Sequence, residues 1–265
     1  MDISAVVVAV PSHMGYLDDV MADCLSQTHP YKQVILVLSG FNASQMHQLK
    51  IENAESWGSS VEVHSRPLAP AGANRNFGYS LARHEYVSFL DADDRYPAWR
   101  NEVFSQLQSH YNMDLFLHSY ATFASGDGPL LSRPSNPLSS CLESETLVEL
   151  NFPNGRNRWK ELAGAPTALQ HNGTSLHHGH LYVKNGLLSD QLSFHTYSWP
   201  RNEDSLFVRD CLWRGRKVVA SSNVMSSYRT TSTSANKRNK VWLYLPKLLY
   251  FHLRSQLPNA WKKGD

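Results

Sequence analysis

The chain predicts an α/β fold with a mostly parallel central sheet and helices on both faces. Three observations carry that expectation. Short β-branched or apolar runs alternate with helical patterns over the first 120 residues. Runs such as Val34 to Leu38 are apolar throughout rather than every second residue, as strands buried on both faces require, and only Val61-Glu62-Val63 alternates. Helical faces such as Leu17, Val20, Met21 and Cys24 lie between the runs, so that helices cover the sheet.

Taken in order, residues 3–10 form the first strand. Leu17, Val20, Met21, Cys24 and Leu25 then fall on one helical face. Val34 to Leu38 is a second buried strand, residues 44–57 a helix, and Val61-Glu62-Val63 a short strand. Ala73 to Arg83 reads as a helix and Tyr86 to Leu90 as the fourth strand. Pro97 is expected in the first turn of a helix whose stripe is Trp99, Val103, Phe104 and Leu107. Asp114 to His118 is a further strand. In such sheets ligands sit beyond the carboxyl ends of the strands, which directs attention to the residues just after 10, 38, 64 and 90.

Composition narrows the function. The 265 residues are 42% hydrophobic and 18% charged, a globular balance. A net charge of +2 is too small for a protein that holds nucleic acid by bulk charge, so no nucleic-acid partner is expected. The three cysteines, Cys24, Cys141 and Cys211, form no CxxC pair and suggest reduced thiols in a cytoplasmic protein. No apolar run reaches transmembrane length, and the N-terminal apolar stretch lacks the basic flank of a signal peptide. The sequons at Asn42 and Asn172 are then fortuitous.

The fourth strand runs into Asp91-Ala92-Asp93-Asp94. Carboxylates crowded at the mouth of a buried strand repel one another unless a cation joins them. Their hard oxygens suit Mg²⁺ or Mn²⁺, ions that bridge phosphates. Asp91 and Asp93 are the metal candidates, and Asp94 reads as a cap of the next helix. Other phosphate-handling classes are disfavoured. No GxxxxGK[ST] occurs, no GxGxxG follows a strand, and Gly126-Asp127-Gly128 is an isolated GxG. The first strand ends in Pro11-Ser12-His13 rather than a glycine-rich turn. A haloacid dehalogenase-type phosphatase wants Thr or Val where Arg95 stands, and places its DxD on its first strand.

Residues 71–78 (Ala-Gly-Ala-Asn-Arg-Asn-Phe-Gly), Ala82 and the stretch Tyr86 to Asp94 resemble family 2 glycosyltransferases of the GT-A fold. Val6 to Pro11 and Cys24 to Pro30 are similar to the family's N-terminal pattern. Tyr182 to Leu187, then Asn202-Glu203-Asp204-Ser205-Leu206 with Arg209 and Gly215, and finally Tyr228-Arg229, are similar to its C-terminal motifs. The resemblance implies a Rossmann-like GT-A sandwich over residues 1–235, with a nucleotide-sugar-binding half (1–120) and an acceptor-binding, catalytic half (121–235). It implies transfer of a sugar, with inversion, from a nucleotide-diphosphate donor to a glycan or other hydroxyl acceptor, aided by Mn²⁺ or Mg²⁺.

The roles implied are as follows. Asp93 is the main metal ligand, supported by Asp91. Asp204 is the general base and Glu203 orients the acceptor or stands in as base. Arg75 meets the base or diphosphate, and Arg229 clamps the diphosphate from a closing loop. Pro11, Ser12, Ser39 and Ala92 complete the donor side. Two positions depart from the family. Leu38-Ser39-Gly40 stands where Asp-Asp-Gly is usual, which puts uracil readout in question. Thr231 stands where a metal-binding His often follows Tyr-Arg, so that the metal shell lacks this ligand or another His replaces it. His171, His177, His178 and His180 crowd one segment without zinc-site spacing and read as solvent or core histidines, with acceptor contact as the functional alternative. A non-catalytic sugar-nucleotide or glycan-binding module of the same fold is the alternative for the whole chain. Residues 236–265, basic and aromatic from Lys237 to Lys263, read as a helical tail packed on the domain, with peripheral membrane contact as the second reading.

Overall fold

The computed structural model describes residues 1–53, 57, 60–124, 126, 128–142, 170–171, 174–189, 192–196 and 203–230. The tail from 236, Asn202, Thr231, the sequon at Asn172 and most of the segment expected to meet the acceptor lie outside these residues.

In chain order the elements are β1 (Ile3–Ala9), α1 (Leu17–Leu25), β2 (Gln33–Ser39), α2 (Ala43–Asn53), β3 (Val61–Arg66), α3 (Ala71–Leu81), β4 (Tyr86–Asp91), α4 (Arg100–Tyr111) and β5 (Leu115–Phe123). There follow β6 (Cys141–Leu142), β7 (Gln170–His171), β8 (Thr174–Lys184), α5 (Glu203–Trp213) and β9 (Val218–Arg229). Among the described residues the strands form one nine-stranded sheet of order β3-β2-β1-β4-β8-β5-β9-β6, with β7 paired to β8. The β3-β2-β1-β4 block is parallel, as is β5 with β9. This is the α/β sandwich that the alternating pattern predicts.

The sheet is parallel in its first half and mixed in its second. The long strand β8 runs antiparallel to both β4 and β5 and separates them. No period in the sequence announces that insertion, because a strand buried on both faces reads the same in either direction. The apolar runs do their expected work: every residue of β2 is buried, and β1 shows near-complete burial.

Helix boundaries differ by small amounts with local causes. α3 starts two residues earlier than expected, directly after Pro70, whose fixed φ suits a helix entrance. Pro97 precedes α4 rather than lying inside it, and its carbonyl accepts a hydrogen bond from Arg100 N. Asn112, in the left-handed conformation at φ 44°, ends α4. On α1, Leu17, Val20, Met21 and Cys24 are buried as the pattern requires, but Leu25 is exposed. All three cysteines are free.

Two packing features place the functional side chains. α3 comes so close to the chain at His195 that a Cβ on Gly72 would lie 1.9 Å from its carbonyl oxygen and 3.2 Å from Glu203 Cγ. Only glycine permits that approach, and it brings the start of α5 against Arg75. The second feature is Arg100, fully buried on α4 and without a carboxylate partner among the described residues. Its guanidinium donates to Ser88 Oγ (2.7 Å), Tyr31 Oη (3.2 Å), the His180 carbonyl (3.0 Å) and His118 Nε2 (3.3 Å), and lies 4.2 Å from the centre of the Tyr182 ring. Spreading the charge over neutral acceptors and an aromatic face is what makes its burial tolerable. It also fixes the backbone of β8 at His180.

Candidate active site

The acidic turn begins where β4 ends. Tyr96 closes it: its hydroxyl accepts from Asp91 N (2.7 Å) and donates to Asp91 O (3.1 Å). Arg95 points away from the acids, with Nε and Nη2 on the Asp23 carboxylate at 2.8 and 2.9 Å, and its backbone pairs with Ser227. Ala92 is buried, Asp93 is half-buried and Asp94 is buried.

Asp94 does not cap a helix. α4 begins only at Arg100, and the Asp94 carboxylate turns inward, where Oδ1 accepts from Arg229 N at 2.6 Å. Its other oxygen, Oδ2, lies 2.8 Å from His180 Nε2. The expected capping role is therefore replaced by one inside the site.

Arg229 is the last residue of β9, not part of a closing loop. Its Nε donates to Asp93 O at 2.8 Å, and its guanidinium lies 4.4 Å from the ring centres of both Tyr16 and Phe123. Arg229 thus supports the acidic turn from beneath. Arg75 is likewise no surface residue at a helix start. It is buried in α3, with Nη2 2.6 Å from Asp91 Oδ1 and Nη1 paired with Glu203 Oε1. Both ends of its fork are engaged by carboxylates, which places it between the two acidic motifs.

Glu203 and Asp204 open α5, where acidic side chains favour the helix dipole. Asp204 Oδ1 accepts from Ser205 N at 2.7 Å. Pro11 and Ser12 begin a short 3₁₀ turn after β1 that leaves Ser12 exposed. Ser39, at the end of β2, is buried; its hydroxyl donates to Pro67 O (3.2 Å) and accepts from Ala69 N (2.9 Å). Its side chain shapes the loop after β3 and is not free for a donor.

Two histidines that the sequence reads as solvent or core side chains complete the site. His177 and His180 of β8 stack at 3.5 Å between ring centres, their planes nearly parallel. Residues three apart on a regular strand would point to opposite faces. Here β8 is irregular: Phe116 pairs with Tyr182 but His118 with His177, two steps on β5 against five on β8. The extra residues turn both imidazoles toward Asp91 and Asp94. One ligand atom from each of Asp91, Asp94, His177 and His180 lies within 4.8 Å of the others. His13, from the turn after β1, bears electrostatically on Asp91 and Asp93. His171 and His178 side chains lie outside the described ones.

The electrostatics divide the acids. Burial works to raise the Asp91 carboxyl, but the Arg75 charge prevails and holds it below the usual range. Burial and the neighbouring Asp91 raise Asp93, and burial with Asp93 and Asp91 raises Asp94 strongly. Burial raises Glu203 and Asp204 despite Arg75. Burial with His118 and Arg100 pushes His180 well down, so its imidazole is neutral. A cavity of about 490 Å³ adjoins the turn and is lined by Arg95, Tyr96, Trp99, Gly128, Leu130 and Leu131 among others. None of the acidic residues of the candidate site lines it.

Residues 5–128 match the model of the family described as Glycosyl transferase family 2. No curated protein sequence matches the chain. Among solved structures, S. aureus TarS 1–349 in complex with UDP-GlcNAc is similar at a TM-score of 0.65 and 14% identity, over 99% of this chain and 69% of that one. TarS 1–349 without that ligand gives 0.61 at 15% identity, over 99% of this chain and 68% of that one. Against the longer TarS structure the TM-score is 0.61 at 14% identity, and this chain spans 41% of its length. At these identities the likeness is one of fold, the GT-A glycosyltransferase sandwich.

Proposed function

We propose that the chain, whose residues 5–128 match glycosyl transferase family 2, is a glycosyltransferase that moves a sugar from a nucleotide-diphosphate donor to an acceptor hydroxyl with inversion, Asp204 serving as general base. The observation that carries this is the Arg75 bridge. The DxD acid Asp91 and the Glu-Asp acid Glu203 come from opposite halves of the chain, yet share one guanidinium. A donor site and a base must meet at one anomeric carbon, and this contact brings their two motifs together.

The donor lies, on this reading, over the carboxyl ends of β1, β2 and β4. Pro11, Ser12 and Ala92 border it, and Ser39 acts through the loop it shapes. A divalent cation, Mn²⁺ or Mg²⁺, supplies positive charge to the departing diphosphate when bound. The residues present fit such an ion, since the turn offers carboxylates that nothing else neutralises fully. Asp91 would hold it, and Asp93, on the outer side of the turn, would join it once the donor's phosphates are in place.

Asp204 suits proton removal because its burial makes it a stronger base than a solvated carboxylate. Glu203, fixed by Arg75, positions the acceptor beside it. Arg229 stiffens the acidic turn through Asp93 O and Asp94. A uridine diphosphate sugar is the first donor to try, because a neighbour of the same fold is in complex with UDP-GlcNAc. Backbone groups near Ser39 and Gly40 would then read the base in place of an acidic side chain. Residues 1–120 would form the donor half and 121–235 the acceptor half. Among the described residues no helix is long and apolar enough to cross a membrane.

Titration calorimetry with nucleotide diphosphates, with and without Mn²⁺, followed by a nucleotide-sugar hydrolysis screen, tests the reading. Metal-dependent binding with slow hydrolysis of one donor is expected, and Asp93→Ala should abolish the metal-dependent part. Binding with no turnover on any donor or acceptor would leave a sugar-nucleotide-binding module instead.

A further inference from the structure

We propose that Asp91, Asp94 and His180 form an inner site for a divalent transition-metal ion, Mn²⁺ or Zn²⁺, that is occupied before any donor binds and discriminates against Mg²⁺. The inference rests on the transferase reading only for its use, not for its geometry. Two buried atoms point to it. Asp94 Oδ2 and His180 Nε2 belong to side chains with no exposed surface, and neither makes a hydrogen bond of acceptable geometry. They stand 2.8 Å apart, and His180 Nε2 is 3.7 Å from Asp91 Oδ2. Ligand atoms about 2.0–2.2 Å from one ion are separated by such distances.

The surroundings prepare the imidazole. His180 Nδ1 lies 2.8 Å from Ser226 Oγ. With the hydroxyl accepting from Nδ1–H, Nε2 keeps a bare lone pair aimed at the carboxylates, the arrangement that orients metal-binding histidines. His177 is occupied differently: its Nδ1 accepts from Gly179 N (3.1 Å) and His180 N (3.2 Å). It therefore stacks on His180 and wedges the irregular part of β8 rather than completing the ligand set. Gly179 is the other requirement, because a Cβ there would sit 2.9 Å from Asp91 Oδ2 and 3.2 Å from the His177 ring.

Two carboxylates and one neutral imidazole balance a doubly charged ion. The nitrogen ligand favours Mn²⁺ or Zn²⁺ over Mg²⁺, which prefers oxygen throughout. Three protein ligands leave coordination positions open toward Asp91, whose side chain is the exposed one of the three. Asp93 lies outside this set. The imidazole that the family often places after Tyr-Arg is here supplied from β8.

The test uses the whole chain, stripped of metal with a chelator and titrated without nucleotide. Free Mn²⁺ is followed by electron paramagnetic resonance, and Co²⁺ by visible absorption as a stand-in for Zn²⁺. One ion per chain is expected, with Mg²⁺ a poor competitor. Asp94→Asn and His180→Gln should weaken binding about tenfold or more, as should the milder Ser226→Ala, whose circular dichroism must match the parent. Asp93→Asn should leave this nucleotide-free binding unchanged. A folded parent that holds no ion without nucleotide overturns the proposal, and so does loss of binding in Asp93→Asn with retention in Ser226→Ala and Asp94→Asn. An ion held by Asp94 and His180 in a chain that cleaves no nucleotide sugar supports the site while removing the transferase.

Discussion

Asp91 and Glu203 are joined through a single buried guanidinium: Arg75 Nη2 lies 2.6 Å from Asp91 Oδ1, and Nη1 pairs with Glu203 Oε1. Removing that link leaves two half-buried carboxylates without their shared cation. Arg75→Met should lower kcat about 10²-fold by misplacing both motifs, while Arg75→Lys, a point charge without the fork, recovers part of it. Steady-state kinetics would show the loss mainly in kcat. A loss confined to KM would return Arg75 to simple donor binding.

Asp204→Asn removes the proposed base and keeps the side chain's shape. Turnover should fall about 10²–10⁴-fold while nucleotide affinity by calorimetry stays the same. Full turnover in this variant would remove Asp204 as base and shift attention to Glu203.

The pH profile follows from burial. A base acts only when deprotonated, so the rate falls as pH drops through its pKa. Burial raises the Glu203 and Asp204 carboxyls. The acid limb of kcat should therefore sit above the ordinary carboxylate range near 4, and it belongs to the pair rather than to either residue. Rates measured from pH 4 to 8 check this, and Asp204→Asn should flatten that limb.

Arg100 is a matter of stability first. Arg100→Ala would leave Ser88 Oγ, Tyr31 Oη, His118 Nε2 and the His180 carbonyl without their shared donor, and would open space beside Tyr182. A loss of about 3 kcal/mol or more is expected by urea unfolding, from unmade hydrogen bonds and a cavity together. Unchanged stability would mean that water replaces the guanidinium.

Much of this architecture is legible in the sequence. The apolar runs of β1, β2 and β4 and the stripe of α1 follow from periodicity alone, and the acidic turn is found where the fourth strand stops. What periodicity does not carry is the irregular pairing of β8 with β5. That pairing decides where His177 and His180 point, and two histidines three apart in a polar segment give no sign of it. Asp94 was hidden for a related reason. A short polar residue before a helix reads as a cap, and only the three-dimensional course of β8 and β9 shows that its carboxylate is enclosed. Arg75 and Arg100 are opposite cases, since long cations default to the surface and only their partners justify burial.

The placement of β8 has a bearing on how this protein can be divided. Because β8 occupies the flank of β4, a fragment stopping at residue 128 would expose a largely apolar strand with an unoccupied hydrogen-bonding ladder. Such a piece would invite self-association, so the part of the chain that carries the family signature is not a unit that can be transplanted alone. Any chimera made to exchange acceptor preference must bring a replacement for that strand, in the same direction, along with the new loops.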